Sequence, residues 1–557
     1  MFMVYDAIVV GSGASGGWAC KRLAEAGLRI ALVDAGTPQP DSNFREHQPA
    51  YQLPFRNLAP ELLKRTQPVQ SQCYACTEFN SDWFCNDLDE PYTTPKDQPF
   101  TWQGRLRRTG GRTNVWGRQS YRLSDLDFKA ASHDGYGVDW PLSYRDLAPY
   151  YDIVEEYVGI TGMAEGLAQL PDGQFQPPMG LTCAEQLFRG KVKEKLGWTV
   201  TLGRSANLTK SINGRAPCHY CGPCEHGCIT HSYFNSAFTT VADALRTGRC
   251  DHIPNAMVYQ VLMNPDTNRA RGVLYVDRET RQTREVYARA VLLCAQAQES
   301  VRVLFNSANR QHPRGLGNAS GELGHYLMDH ISGMVGAGEI EQRGGKATIN
   351  GPNRPDGIYV PRFRNILGQS RTKNFIRGYG MQGSGSTSFN WSAPGFGATY
   401  VQGLRQTKTY IGLVMFGECL ARRENRVEID PERVDTYGIP ILKISMSYGE
   451  NEAAMLRDAY DTASEMLAAV GSRNELSPPK MSIPGAGIHE VGIARMGTDP
   501  RRSVLTPFQQ THEIENLFVM DGSGFPSTAC QNPTLTIMAL CVRSCDHLLE
   551  RFKRSEI

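Results

Sequence analysis

The chain has 557 residues, with 59 Lys and Arg against 57 Asp and Glu and a formal net charge of +2. That balance removes the electrostatic case for a nucleic-acid or anionic-membrane partner, and no run of about 18 apolar residues is present to form a transmembrane helix. The length exceeds one ordinary domain, so two domains, or one with a large insertion, are expected, with room for a deep site.

Tyr5 to Val10 is a short apolar run suited to a buried parallel strand, and Gly11-Ser12-Gly13-Ala14-Ser15-Gly16 follows it directly. The spacing predicts a strand, a tight turn and a helix from Ser15 to Ala26. Gly11 permits the turn, Gly13 lets backbone approach a pyrophosphate, Gly16 lets the helix pack closely, and the helix N-terminus faces the phosphates. Gly27 ends the helix, and Leu28 to Val33 reads as a second strand. Asp34 at its end stands about 20 residues past the glycines, where a carboxylate accepts hydrogen bonds from ribose hydroxyls. Together these features read as a dinucleotide site. The first strand begins too close to Met1 to leave room for an export signal.

Residues 38–99 are rich in Pro, Gln, Asn and aromatics and read as a long excursion over the surface or a site. Within it, Cys73, Cys76 and Cys85 start as a CxxC but lack a fourth ligand nearby, which favours packing over metal. Gly110 and Gly111, followed by Arg112-Thr113-Asn114-Val115-Trp116-Gly117, offer bare backbone to a flat ring or phosphate. Leu147, Tyr151, Val154 and Val158 recur at helical spacing in a helix from Tyr144 to Val158. β-rich runs at Ala256 to Leu262, Gly272 to Asp277 and Val286 to Cys294 lead into a helix, Gln298 to Ser307, and return the chain to the nucleotide-binding sheet. Residues 331–480, with one helix from Glu450 to Val470, read as a second domain built on an antiparallel sheet. The tail gives a strand at Leu517 to Met520, a loop to Pro533 and a final helix from Leu535 to Phe552.

In this order the motifs resemble the glucose-methanol-choline family of FAD-dependent alcohol oxidoreductases. The matching pieces are Gly11 to Gly16 with Asp34, the Gly110 to Asn114 loop, His489-Glu490-Val491-Gly492-Ile493-Ala494-Arg495-Met496-Gly497, and Asp521-Gly522-Ser523 followed by Asn532-Pro533-Thr534. The resemblance implies an α/β fold: a Rossmann-like FAD domain over 1–330 with insertions, an α+β substrate domain with an antiparallel sheet over 331–480, and a return to the FAD domain over 481–557. It implies His489 as the catalytic base, since an imidazole with pKa about 6.5 accepts an alcohol proton near neutrality. Asn532 takes the second catalytic position, holding the substrate oxygen and not acting as a base. Non-covalent FAD is expected to contact Gly11, Gly13, Ala14, Ser15, Gly16, Asp34, Gly110, Gly111, Thr113, Asn114, Trp116, Gly117, Val258, Asp521, Gly522, Asn532 and Thr534. No His stands in the Gly110 to Arg118 loop to carry a covalent histidyl-flavin. Two positions depart from the family pattern: Arg112 replaces a small residue, and Ile493 replaces a common Thr.

Four of the 15 cysteines, Cys218, Cys221, Cys224 and Cys228, form a CxxCxxCxxxC run with Gly222, Pro223 and Gly227 between them. Such a run wraps an iron-sulfur cluster, as a three-iron form on three thiolates or a four-iron form on all four. A zinc site drawing on His219, His226 and His231 is the alternative. Within the family, the run looks like sugar, polyol and sugar-acid dehydrogenases that pass electrons through an iron-sulfur centre to a cytochrome. The stretch from Cys73 to Gly137 is most similar to the glucoside 3-dehydrogenase branch. The resemblance implies a small sugar or glycoside substrate, a small partner subunit bearing an export signal, a cytochrome c-type acceptor and a periplasmic location by co-export. Competing readings are a polyol or gluconate dehydrogenase, a sugar oxidase, a non-catalytic flavoprotein with structural zinc, and a cytoplasmic location.

Overall fold

In the computed structural model, which describes residues 4–340, 354–368, 372, 374–388, 390, 393–406 and 408–557, the N-terminal apolar run is strand Val4–Val10. Helix Ala14–Glu25 and strand Ile30–Val33 follow it. Gly11 sits at φ +94, and a Cβ on it would lie 2.7 Å from the Cys294 carbonyl oxygen. A Cβ on Gly16 would lie 1.8 Å from the Gly11 oxygen, so glycine alone lets turn and helix close on each other. The helix buries Trp18, Ala19, Cys20 and Leu23 and packs on the final helix, Thr534–Lys553, and on helix Thr240–Arg246.

Strand Thr283–Leu293 organises a seven-stranded sheet. Along one edge it runs parallel to Val4–Val10. Along the other, its first half pairs antiparallel with Arg269–Asp277, while Val291, Leu292 and Leu293 pair parallel with Leu517–Val519. The N-terminal unit, the middle strands and the tail therefore meet at the carboxyl ends of parallel strands, where α/β sheets bind ligands. Strand Cys250–Ile253 pairs parallel with Ile30–Val33 and closes that side.

A second sheet of five strands is antiparallel throughout, in the order Ile331–Glu339, Lys408–Gly417, Tyr379–Ser388, Ile358–Val360, Thr201–Leu202. Its core is distinct from that of the first sheet and includes Ile331, Met381, Leu413 and Met415 against Met455, Ala459 and Ala463 of helix Glu450–Ala469. Helix Cys183–Leu196 also packs here, capped by Thr182 and Glu185. This helix and strand Thr201–Leu202 join the second sheet although both precede residue 330. The architecture is α/β with a mixed nucleotide-side sheet and a separate antiparallel sheet. Residues 341–353 of the stretch expected to supply substrate contacts lie outside the described residues.

The 38–99 excursion folds as turns, short 3-10 helices and one helix, Pro60–Thr66, and contributes to a small apolar core of Cys73, Ala75, Cys76, Trp83, Phe84, Leu106 and Val115. Burial pushes the thiols of Cys73 and Cys76 up and that of Cys85 to about 12. These are the properties of packed, protonated thiols. Among the described residues, no helix is long and apolar enough to cross a membrane.

Candidate active site

Two glycine loops face each other across the carboxyl end of the first sheet. Gly13, at the N-cap of helix Ala14–Glu25, would project a Cβ into open space, while a Cβ on Gly111 would lie 3.4 Å from the Gly13 Cα. Ser12 joins the loops: its hydroxyl accepts the Gly110 N–H at 2.8 Å and donates to the Asp34 carboxylate. Asp34 is buried, which pushes its carboxyl up against the pull of the Ser12 bond. Asn114 donates to the carbonyls of Thr109 and Gly111, at 3.0 and 2.8 Å, and so braces the second loop. Val258 lies just beyond Ala256, whose N–H bonds to the Asp34 carbonyl at 2.9 Å. An open glycine cradle at a helix N-terminus, beside a buried strand-end carboxylate, fits a flavin dinucleotide.

The two C-terminal motifs are joined through their backbones. The N–H groups of Gly492, Ala494 and Met496 donate to the carbonyls of Gly522, Ser523 and Gly524. Asp521 accepts the Ser523 N–H at 3.0 Å and the Ser300 hydroxyl. Thr534 opens the 20-residue final helix, so its positive end points toward the loop carrying Asn532. Ile493, the second departure from the family pattern, is fully buried at φ +69, and Ile488 lies at φ +58. Left-handed backbone at two β-branched residues flanking His489 is strain of the kind that functional loops hold.

His489 and Asn532 meet as expected, with His489 Nε2 3.3 Å from Asn532 Nδ2. Gln382, from the second sheet, donates to Asn532 Oδ1 at 2.6 Å. On the other side of His489, His330 Nδ1 lies 2.8 Å from His489 Nδ1, and His330 Nε2 lies 3.0 Å from the Ala529 carbonyl oxygen. The Phe416 ring stands 5.6 Å from that of His489. Burial, then His330 and Arg112, hold His489 well below the ordinary imidazole range, and burial holds His330 down to about 4. Both rings are therefore neutral near pH 7.

Asp329 accepts the N–H groups of Gly485, Gly487 and His489 at 3.0, 2.9 and 2.8 Å and so shapes the loop that presents His489. Burial and the neighbouring Glu490 push its carboxyl up to about 7. Arg112, the first departure, pairs with both oxygens of Glu490 and donates to the carbonyls of Gln103, Gly104 and Ile488. It fastens the flavin-side loop to the His489 loop. Sequence reasoning missed His330, Asp329, Gln382 and this ion pair. The adjacent Asp329-His330 before an apolar strand, and Glu490 beside His489 opposite an out-of-place Arg112, were the available signals.

The cysteine run is a surface loop held open at left-handed positions, with φ +58 at Tyr220, +108 at Gly222 and +119 at Gly227. Cys224 and Cys228 are buried, and Cys218 and Cys221 are half-buried. Burial, then Cys224 and Cys228, push the Cys221 thiol up to about 12, so these thiols lie within electrostatic reach of one another. Burial likewise raises Cys224 to about 11, against the Arg118 charge. The segment leaving the run bonds to the flavin-side loop: the Tyr233 hydroxyl to the Asn114 carbonyl at 2.9 Å, Asn235 Nδ2 to Asn114 Oδ1 at 2.8 Å, and Trp116 Nε1 to the Phe234 carbonyl at 2.9 Å. Among the described residues, the one group close enough to share a single ion is His47, His219 and Cys221. His226 stacks on Phe79, and His231 stacks on Phe238 and pairs with Asp41. Neither belongs to that group, so of the three histidines near the run only His219 stands beside a run cysteine as a candidate zinc ligand.

GMC oxidoreductase family models match residues 5–332 and 421–541. The chain is 29% identical to 2-methyl-1,2-propanediol dehydrogenase of Mycolicibacterium austroafricanum, over 98% of this chain and 95% of the relative. It is 27% identical to the fructose dehydrogenase large subunit of Gluconobacter japonicus, over 99% and 98%. Its fold matches pyridoxine 4-oxidase from Mesorbium loti with a TM-score of 0.59 at 18% identity, covering 98% of this chain and 99% of that one. The glycine cradle, the paired C-terminal motifs and these matches lead to one conclusion: the chain belongs to the GMC oxidoreductase family, FAD-dependent enzymes acting on CH–OH groups.

Proposed function

We propose that the chain is a sugar dehydrogenase oxidising a secondary hydroxyl, C3 of a glucoside or related pyranose, and delivering electrons through an iron-sulfur cluster to a cytochrome-type acceptor. The observation that carries this reading is the direct bonding of the segment after Cys228 to the loop at Asn114 and Trp116. It gives a short protein path between the expected flavin and the four thiols. Bound FAD supplies the hydride acceptor, and a bound cluster supplies a one-electron relay. The chain's own residues do the rest. Asn532 and Gln382 orient the substrate oxygen, and neutral His489 takes its proton as the C–H hydrogen leaves as hydride. The second sheet brings Phe416 and Gln382 up to the His489 loop and so limits water there.

Cys218, Cys221, Cys224 and Cys228 are the proposed cluster ligands, in three- or four-iron form. The CxxCxxCxxxC spacing of the thiols in one loop is what supports a cluster, while a single ion could draw on Cys221 with His47 and His219. The partner is a small subunit, with co-export to the periplasm as the location; the fructose dehydrogenase relative is likewise named a large subunit. The test is turnover of methyl glucoside with a one-electron dye and with cytochrome c, with the product ketone located by NMR. A 3-keto product with cytochrome reduction supports the reading. Peroxide matching sugar consumption would replace it with an oxidase, and turnover only of polyols or gluconate would replace the substrate.

A further inference from the structure

Gln382, Asn532, His489 and His330 form a string of four polar side chains whose direction is fixed at one end. The Ala529 carbonyl, turned toward His330 by left-handed backbone at φ +56, can only accept a hydrogen bond. His330 Nε2 must therefore carry the proton given to it. Because burial keeps His330 neutral near pH 7, its Nδ1 is then a bare acceptor. His489 Nδ1, 2.8 Å away, must be the donor, which leaves His489 Nε2 as a lone pair. Asn532 agrees from the opposite side: its Oδ1 is taken by the Gln382 amide, so its Nδ2–H faces His489 Nε2 at 3.3 Å. Every member donates in the same sense, Gln382 to Asn532 to His489 to His330 to the Ala529 carbonyl.

We propose that His330 is a positioning residue that holds His489 in a single tautomer, with the proton on Nδ1 and the basic lone pair on Nε2 at the substrate face. The inference rests on His489 being the base. Without an acceptor at Nδ1, neutral His489 divides between two tautomers, and the form protonated at Nε2 cannot take a proton from the alcohol. The ring also loses one of its two side-chain hydrogen-bond contacts, keeping the one to Asn532 at Nε2. Asp329, Glu490, Arg112 and the Tyr448 hydroxyl, which bonds to the His330 carbonyl at 3.1 Å, are the other titratable groups around the pair.

The experiment is anaerobic rapid mixing of the FAD-loaded full chain with methyl glucoside, giving the limiting rate of flavin reduction and the substrate Kd separately. His330→Leu should lower the limiting rate about 10- to 100-fold, with Kd changed less than about threefold and FAD content retained. His330→Asn, whose Oδ1 takes the place of Nδ1, should recover most of the rate. His330→Gln, whose acceptor lies where Nε2 was, should not. That Asn–Gln contrast carries the test if the Leu variant fails to hold FAD. Equal rates in the Asn and Gln variants, or a Leu variant as fast as the parent, would overturn the role of His330. His489→Ala in the same series separates the two claims: if it reduces flavin normally, the base assignment falls first. If it is inactive while His330→Leu is not, only the tautomer inference falls.

Discussion

Around His489 the titratable groups are paired by elements distant in sequence, whereas the Cys218–Cys228 loop draws its donors from one short stretch and leaves half of them open to solvent. His330 reaches His489 across 159 residues, and Arg112 reaches Glu490 across 378. Each such contact closes a long loop and survives because burial makes an unpaired charge or ring nitrogen costly. The cysteine loop needs no such closure: glycines and a left-handed Tyr220 bend it locally, and burial raises the Cys221 and Cys224 thiols. One region is finished by folding; the other, on the proposed function, would be completed by a bound cluster, whose ligation would draw protons from the thiols.

The contrast can be broken from either side. The largest expected effect is His489→Ala, which should slow flavin reduction by about 10³- to 10⁴-fold in rapid mixing while FAD and iron content stay unchanged. Equal damage to iron content would show that the two regions are not separable. Cys224→Ser should do the converse, removing iron and labile sulfide and cutting turnover with cytochrome c at least about tenfold while flavin reduction persists. Gly13→Val should lose FAD, read by absorbance after desalting, without lowering the thermal midpoint of the apoprotein. Its Cβ meets no protein atom within 4 Å, so the side chain would extend into the space expected to hold the cofactor.

Smaller effects probe the pairing itself. Arg112→Met leaves the Glu490 carboxylate buried without its partner and should destabilise the chain by about 3 kcal/mol in thermal or urea unfolding. The same substitution removes a positive charge that depresses His489, so the acid limb of flavin reduction should move to higher pH. In the parent enzyme the sign runs the other way. With His489 held below its ordinary value, the active neutral base persists as pH falls through about 6.5, and the rate should decline only below that. A rate already halved at pH 6.5 would contradict the depressed base.

What was legible in the sequence follows the same division. Helix Tyr144–Val158 was readable to the residue because its apolar positions and its Ser143–Asp146 cap are local. The Gly11–Gly16 turn, the His489 motif and the cysteine spacing were readable for the same reason. Helix Cys183–Leu196 was missed although its Thr182–Glu185 cap was present, because its polar composition shows little periodicity. Strand Thr201–Leu202 is two residues long and exists only by pairing with Ile358 and Tyr359. Arg112 looked like a departure because its partner, Glu490, is adjacent only in space. Asp329 and His330 stand out only as an adjacent pair before an apolar strand, and only folding places one under the His489 loop and the other against its ring.

The most direct test of the account is an anaerobic titration with methyl glucoside, following flavin absorbance and the iron-sulfur EPR signal in one sample after iron and labile sulfide have been assayed. The account predicts bleaching of the flavin together with a change in the cluster signal. Bleaching in a protein that contains no iron would contradict it, leaving the four cysteines structural and the electrons leaving the flavin by another route.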